Sequence, residues 1–273
     1  MSEYHDKFDV TGFNHLQLDL ERPDEMRKKL CAIDFDVLIN AAAFTNVDLC
    51  ETKRDQAFRI NTDAPRILAE ICRDKKAKFI HFSTDYVFDG EKRDPYREND
   101  PANPISVYGE SKREGEKLVL QTHHQHLVVR VSWVFGPARP SFIDGVIKRA
   151  RESDHVDAVA DKFSTPTYTH DVAEMLPHFF DMDVANGILH FANSGECSWK
   201  QYAQYALDCC HEAGMPLKTK TVEALKLSDM KNFIARRPIY TVLSTAKYTG
   251  LSGAAPRSWR DAVAEYIRKF VSR

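Results

Sequence analysis

The sequence predicts an α/β fold of the Rossmann type, a doubly wound parallel sheet carrying a smaller helix-rich C-terminal lobe, and three observations carry that prediction. Short apolar runs alternate with helical patterns through the first 130 residues, which is the signature of successive βαβ units. Polar clusters follow the C-terminal ends of these runs, where ligands bind in open parallel sheets. After residue 140 the composition shifts to amphipathic helices joined by loops rich in Pro, Gly, Thr and Ser.

Three runs read as strands: Phe35–Asn40, ending in small residues, Lys78–Ser83, ending in a polar cluster, and Leu127–Val131, leading into Ser132 and Trp133. Between them, helical spacing and caps predict helices over Pro23–Leu30, Arg54–Arg73 and Ser106–Leu120. A further short strand is expected over Lys7–Phe13. In the second half, Phe142–Arg149, Ser198–Ala213 and Arg257–Ser272 read as amphipathic helices, and Gly187–Ala192 as a run that returns to the sheet or pairs beside it. The division expected is a dinucleotide-binding domain over 1–140 and a mainly substrate-binding lobe over 141–273, with 156–192 returning to the sheet.

Composition bounds the function. The 273 residues carry 38 Lys and Arg against 40 Asp and Glu, a net charge of −2, which excludes nucleic-acid binding driven by bulk charge. The start MSEYHDKFDVTGF has neither a basic n-region nor an apolar core, and no apolar stretch approaches the ~20 residues of a membrane helix. A cytoplasmic protein with no membrane or nucleic-acid partner is expected. The six cysteines, at 31, 50, 72, 197, 209 and 210, form no C-x-x-C pair and read as reduced structural thiols. No metal site is expected; His123, His124 and His126 read as a solvated helix end.

The sharpest chemical signal is Tyr108-Gly109-Glu110-Ser111-Lys112, a phenol and an ammonium four residues apart on one helix face. A tyrosine used as an acid or base near neutrality needs its ordinary pKa of ~10 lowered, and a neighbouring cation is the direct means. The second signal is Ser83-Thr84-Asp85-Tyr86-Val87-Phe88, which places hydroxyls and a carboxylate at a strand end, where a hydroxyl can donate to a carbonyl oxygen that gains charge. The third is Asn40-Ala41-Ala42-Ala43-Phe44-Thr45, whose small side chains let a flat ligand approach the backbone. Each has a plainer reading taken alone: a chance Tyr–Lys pair, polar residues closing a strand, a tight strand-to-helix turn.

Together the three resemble one family. DVLINAAAFTNVDLCE, FIHFSTDYVFDG, NPISVYGESKREGEK and VVRVSWVFGP, then VADKFSTPTYTHDVA, NSGECSWKQYA and ARRPIYTVLSTAK, run in the order seen in the extended short-chain dehydrogenase/reductases, and are most similar to the dTDP-4-dehydrorhamnose reductase family. The resemblance implies NAD(P)H-dependent reduction of a 4-keto nucleotide sugar in dTDP-L-rhamnose biosynthesis, with NADPH or NADH as cofactor and a homodimer left open as the assembly. It implies Tyr108 as proton donor to the C4 oxygen, Lys112 as the cation that lowers Tyr108 and holds the nicotinamide ribose, and Thr84 as a hydrogen-bond donor to the reacting oxygen. It further implies Asp85, Trp133 and Arg237 as contacts to the nucleotide sugar, Asp19 and Leu20 at the adenosine end of the cofactor, and Ala42, Ala43, Phe44 and Thr45 along its path.

One departure stands against this. Of 11 glycines only Gly12 precedes residue 90, so the Gly-rich turn that binds the cofactor diphosphate is not in the sequence. Counting back from Asp19 places those glycines before Met1, with Ser2–His5 as the tail of the first helix. In the strand order 3-2-1-4-5-6 this predicts a slot in mid-sheet, with unpaired backbone on both sides. A non-catalytic binding protein similar to the regulatory subunit of methionine adenosyltransferase, and a reductase or epimerase of another nucleotide sugar, are the alternatives.

Overall fold

Helix α1 (Pro23–Cys31) starts on a proline, tolerated in a first turn where an N–H has no partner, and sets Asp24 and Glu25 at its positive end and Lys28 and Lys29 at its negative end. The structure, a computed structural model, describes Tyr4, residues 6–181 and residues 184–272. Strand β1 (Val37–Asn40) is followed by α2 (Val47–Thr52), capped by the Asn46 side chain, and α3 (Arg54–Phe58). The single helix expected over 54–73 is broken by a π turn at Arg59–Asp63 before α4 (Ala64–Lys75). Pro65, which has no N–H to give the preceding turn, supplies a reason for the break.

Strand β2 (Lys78–Thr84), helix α5 (Val107–Thr122) and strand β3 (Leu127–Val131) complete the first half. Then come β4 (Val134–Phe135), α6 (Phe142–Glu152), β5 (Asp157–Val159), β6 (Phe163–Ser164), β7 (Thr167–Tyr168) and α7 (Thr169–Met175). Strand β8 (Gly187–His190), β9 (Cys197–Ser198), α8 (Trp199–Glu212), β10 (Glu223–Leu225), α9 (Ala246–Ser252) and α10 (Trp259–Tyr266) finish the fold.

The main sheet is parallel, in the order β1-β2-β3-β8. Alternation along its strands sends Phe79 and Val128 to one face, against Met26, Leu30, Leu68 and Ile71, and Ile80, Val129 and Leu189 to the other, against Val172, Leu176 and Phe179. A separate core in the second half gathers Phe135, Ile147, Tyr202, Leu207, Trp259 and Val263. Of residues 156–192 only Gly187–His190 joins the main sheet; β5 pairs instead with β10, and β7 with β4.

Three expectations are corrected. No strand forms over Lys7–Phe13, because an extended segment needs a ladder partner and none of the described strands lies beyond β1. Its aromatic residues pack individually, Phe8 edge-on to Phe180 at 5.2 Å and Phe13 against the α1 core. For the same reason there is no two-sided slot in mid-sheet: among the described residues the sheet ends at β1, whose outer edge faces no strand. Finally, His126 is not solvated; it is fully buried, its Nε2 lies 3.0 Å from the Ala69 carbonyl, and burial pushes its pKa down to about 4. The expected helix tail at Ser2–His5 lies, apart from Tyr4, outside the described residues.

Beneath the sheet's C-terminal end, Arg130 of β3 meets Glu116 of α5 through two hydrogen bonds of 2.7 Å, both side chains essentially without solvent exposure. A buried charge left alone is far more costly than the pair is stabilising. Arg130→Met should therefore destabilise the protein by roughly 3–5 kcal/mol in urea unfolding. The double change Arg130→Met with Glu116→Leu should recover most of that loss, and a double variant no better than the single one would contradict the assignment.

Candidate active site

Tyr108 is the second residue of α5, whose start is capped by the Ser106 hydroxyl accepting the Gly109 N–H at 3.2 Å. A Cβ on Gly109 would stand 2.2 Å from the Tyr86 carbonyl oxygen, and one on Gly115 would stand 2.2 Å from that of Asn61. Both glycines are therefore required for α5 to touch the backbone after β2 and the π turn. That approach sets the Tyr86 and Tyr108 rings edge to face at 5.7 Å, with the Tyr108 phenol in the electrostatic reach of Thr84.

Thr84 ends β2 with extended backbone; its hydroxyl accepts the Tyr86 N–H at 3.2 Å and donates to Asp85 Oδ1 at 3.1 Å. Burial holds the Tyr108 phenol well above its usual range, which Thr84 opposes and the Asp85 charge reinforces. Lys112 is buried, and the loss of solvent brings its pKa down to about 8, against the pull of Glu116. Its Nζ donates to the Phe82 carbonyl at 2.7 Å and lies 3.2 Å from His81 Nε2. The cation thus turns to β2, and the phenol's pKa is raised rather than lowered in this state.

The expected sugar contacts divide. Asp85 is buried and both of its oxygens are engaged, Oδ1 by Thr84 and Oδ2 by Ser164 at 3.3 Å and Thr241 at 2.5 Å. It joins β2 to the second half rather than opening toward a ligand. Trp133 keeps the features of a contact residue: a left-handed backbone φ of 39°, and an indole N–H that is buried without a hydrogen-bond partner. Arg237 donates to both Asp48 oxygens, at 3.1 and 2.6 Å, and its guanidinium lies 3.4 Å from the centre of the Phe233 ring. Asp48 also accepts the Ile234 and Ala235 N–H groups, each at 2.9 Å, and these bonds, Arg237 first, hold its carboxyl below the usual range. Arg237 is therefore a tie between α2 and the C-terminal lobe.

At the end of β1, Ala42, Ala43, Phe44 and Thr45 form a partly open loop. Asn61 pins it, accepting the Phe44 N–H at 2.8 Å and donating to the Phe44 carbonyl at 3.0 Å and to Ser111 Oγ at 3.1 Å. Asp19 lies before α1, where it accepts the Glu21 N–H at 2.9 Å and approaches Arg22 at 3.5 Å, while Leu20 packs on the α1 core. The residue types fit the reacting half of a nicotinamide dinucleotide: a phenol and a lysine one turn apart on α5 and a hydroxyl at the end of β2, the strand next to the one that opens into the small-residue loop. Among the described residues no glycine turn stands at the end of a strand beyond β1, and α1 begins with two acids, which repel an anion.

Sequence reasoning did not single out His81, Asn61, Asp48 or Lys162. Lys162 is wholly buried, its Nζ bonded to the Pro238 carbonyl and 5.0 Å above the Tyr86 ring, and burial lowers it to about 8. A polar residue inside an apolar helical repeat marks Asn61, but nothing local distinguishes a buried lysine from a surface one.

Residues 2–272 match the family model described as the RmlD substrate binding domain. The spore coat polysaccharide biosynthesis protein SpsK of Bacillus subtilis is 36% identical over 234 residues, covering 86% of this chain and 79% of that protein. A probable dTDP-4,6-dihydroxy-2-methyloxan-3-one 4-ketoreductase of Streptomyces antibioticus is 35% identical, covering 94% and 85%. The dTDP-4-dehydrorhamnose reductase of Escherichia coli is 32% identical, covering 96% and 88%. Among solved structures, that of Clostridium acetobutylicum dTDP-4-dehydrorhamnose reductase superposes with a TM-score of 0.90 at 30% identity, covering 98% and 92%. The Bacillus anthracis enzyme, solved in complex with NADP, gives 0.89 at 28% identity, covering 97% and 91%.

Lys112 holds its proton to pH 10.5 when solvated and only to about 8 when folded, so the folded state releases protons in that window and gains stability as pH rises through it. The unfolding free energy of the wild type minus that of Lys112→Met should rise between those two values, and a flat difference would show that Lys112 is not desolvated.

Proposed function

We propose, from the premise that this chain belongs to the dTDP-4-dehydrorhamnose reductase family, that it reduces the 4-keto group of dTDP-4-dehydro-L-rhamnose, the step that yields dTDP-L-rhamnose. The observation that carries the reading is the buried Tyr108 phenol, which α5 sets against the turn after β2, where Thr84 ends the strand, with Lys112 one turn further along the same helix, at the C-terminal end of the parallel sheet. A bound reduced nicotinamide, NADPH or NADH, supplies the hydride. The chain's own residues handle the proton. Tyr108, held protonated by burial, is an acid ready to donate to the C4 oxygen. Thr84, whose hydroxyl donates to Asp85 Oδ1 at 3.1 Å, can turn it to the same oxygen. Water is kept out by Tyr86 and by the Asp85–Ser164–Thr241 seam, which strengthens each polar contact inside.

The lobe over 141–273 supplies Trp133's aromatic neighbours Trp199 and Tyr202 and the Arg236–Arg237–Pro238 segment, and we assign it the nucleotide-sugar side of the site, with 1–140 the cofactor side. Asp48 already engages Arg237, whereas Arg236 is exposed. We read the enzyme as cytoplasmic; no described helix is long and apolar enough to cross a membrane. A second reading, reduction of the 4-keto group of a related dTDP-deoxysugar, is favoured by the similarity to the Streptomyces antibioticus ketoreductase, and uses the same residues.

The test is oxidation of NADPH followed by absorbance with each 4-keto nucleotide sugar in turn. Tyr108→Phe should lower kcat by at least ~100-fold, the usual contribution of a positioned acid. An unchanged kcat would remove Tyr108 from the reaction.

A further inference from the structure

Asn40, His81 and Lys112 form a buried row that the scheme above leaves unused. Asn40 ends β1, His81 lies in mid-β2 and Lys112 projects from α5, and all three are buried. The Asn40 amide is oriented by the backbone, because its Oδ1 accepts the Ala42 N–H at 3.1 Å. Its Nδ2, which carries only hydrogens, therefore faces His81 Nδ1 at 3.2 Å. Nδ1 must accept, so the ring hydrogen sits on Nε2. That nitrogen lies 3.2 Å from Lys112 Nζ. An N–H cannot donate to an ammonium, which has no lone pair; it can donate to an amine, which keeps two hydrogens of its own for the Phe82 carbonyl at 2.7 Å. The opposite set, with an ammonium donating to Nε2 and hydrogen on Nδ1, requires Asn40 to present its oxygen to the ring and to give up the Ala42 N–H.

We propose that His81 is a positioning residue for Lys112: its Nε2–H tautomer, set by Asn40, stabilises the Lys112 amine, and protonation of Lys112 is coupled to a change of His81 tautomer and to the Asn40 amide at the mouth of the site. Other charges around this row do not substitute for His81. Glu116 on α5 favours the ammonium, yet both its oxygens are bonded to Arg130 of β3. Tyr108 remains a neutral phenol above it. His81 stays uncharged, since burial first and Lys112 second hold it well below its usual range. The proposal rests on the reductase reading only in what the coupling is for: it ties the charge of Lys112 to the Asn40 amide at the start of the β1 loop.

The test needs neither substrate nor cofactor. Two-bond nitrogen–proton NMR of the whole protein with 15N-labelled histidines, with the His81 signals assigned by their loss in His81→Gln, reports the tautomer directly. At about pH 10, close to the ordinary lysine value, the ring should be Nε2–H, and by about pH 6.5 it should convert to Nδ1–H. In Lys112→Met it should stay Nε2–H at both. A wild-type tautomer that is the same at both pH values, or the same conversion in Lys112→Met, would overturn the proposal. If Lys112→Met does not fold, the wild-type conversion decides. Failure to reduce any 4-keto sugar would count against the function and leave this result standing.

Discussion

The close contact of α5 with two stretches of backbone is the constraint on which the rest of the site depends. Side chains can adjust to one another, but a Cβ at 2.2 Å from a carbonyl oxygen cannot be accommodated without moving a main chain. Gly109 and Gly115 sit six residues apart on the helix, so they fix its depth at two points, one against Tyr86 and one against Asn61. With the depth fixed, Tyr108 has one place to go, which is beside Thr84, and Lys112, one turn further on, reaches only the β2 backbone and His81. The same packing buries Glu116 where Arg130 can meet it.

Burial then sets the electrostatics. Three long cations lie without solvent near the C-terminal end of the sheet, and the structure treats them differently. Arg130, which cannot lose its proton, is given a carboxylate and a bidentate geometry. Lys112 and Lys162 can lose theirs, and each is given a backbone carbonyl while desolvation brings its pKa toward neutrality. A lysine near its titration point responds to a bound anion or a turned amide, where a fully paired arginine would not.

The sheet was legible from sequence because period, β-branched content and strand-end polarity act locally. Strands over 37–40, 78–84 and 127–131 and helices at 23–31 and 107–122 fall within a few residues of their expected places. The places of Thr84, Tyr108 and Lys112 on β2 and α5 were legible for the same reason, each lying on a strongly patterned element. What was not legible depends on partners distant in the chain. Arg237 reads as a free cation until Asp48, 189 residues earlier, is seen to hold it. Asp85 reads as a ligand contact until Thr241 arrives from 156 residues away. The strand over 7–13 failed because strand propensity is a property of a pair, and its neighbour was not among the described strands.

These cross-chain bonds share a direction. Two residues that the resemblance implies as sugar contacts join the two halves: Asp85 to β6 and Thr241, and Arg237 to Asp48, which also accepts the 234–235 N–H groups. The groups proposed to react stand on β2 and α5, elements with neighbours on either side, whereas the loop proposed to line the cofactor's path follows the edge strand β1. The proposed proton donor and that loop are therefore held by different parts of the molecule. Tyr108 and Thr84 meet without any contribution from beyond β1, because α5, the turn after β2 and the cross-lobe bonds to Asp85 already determine their places.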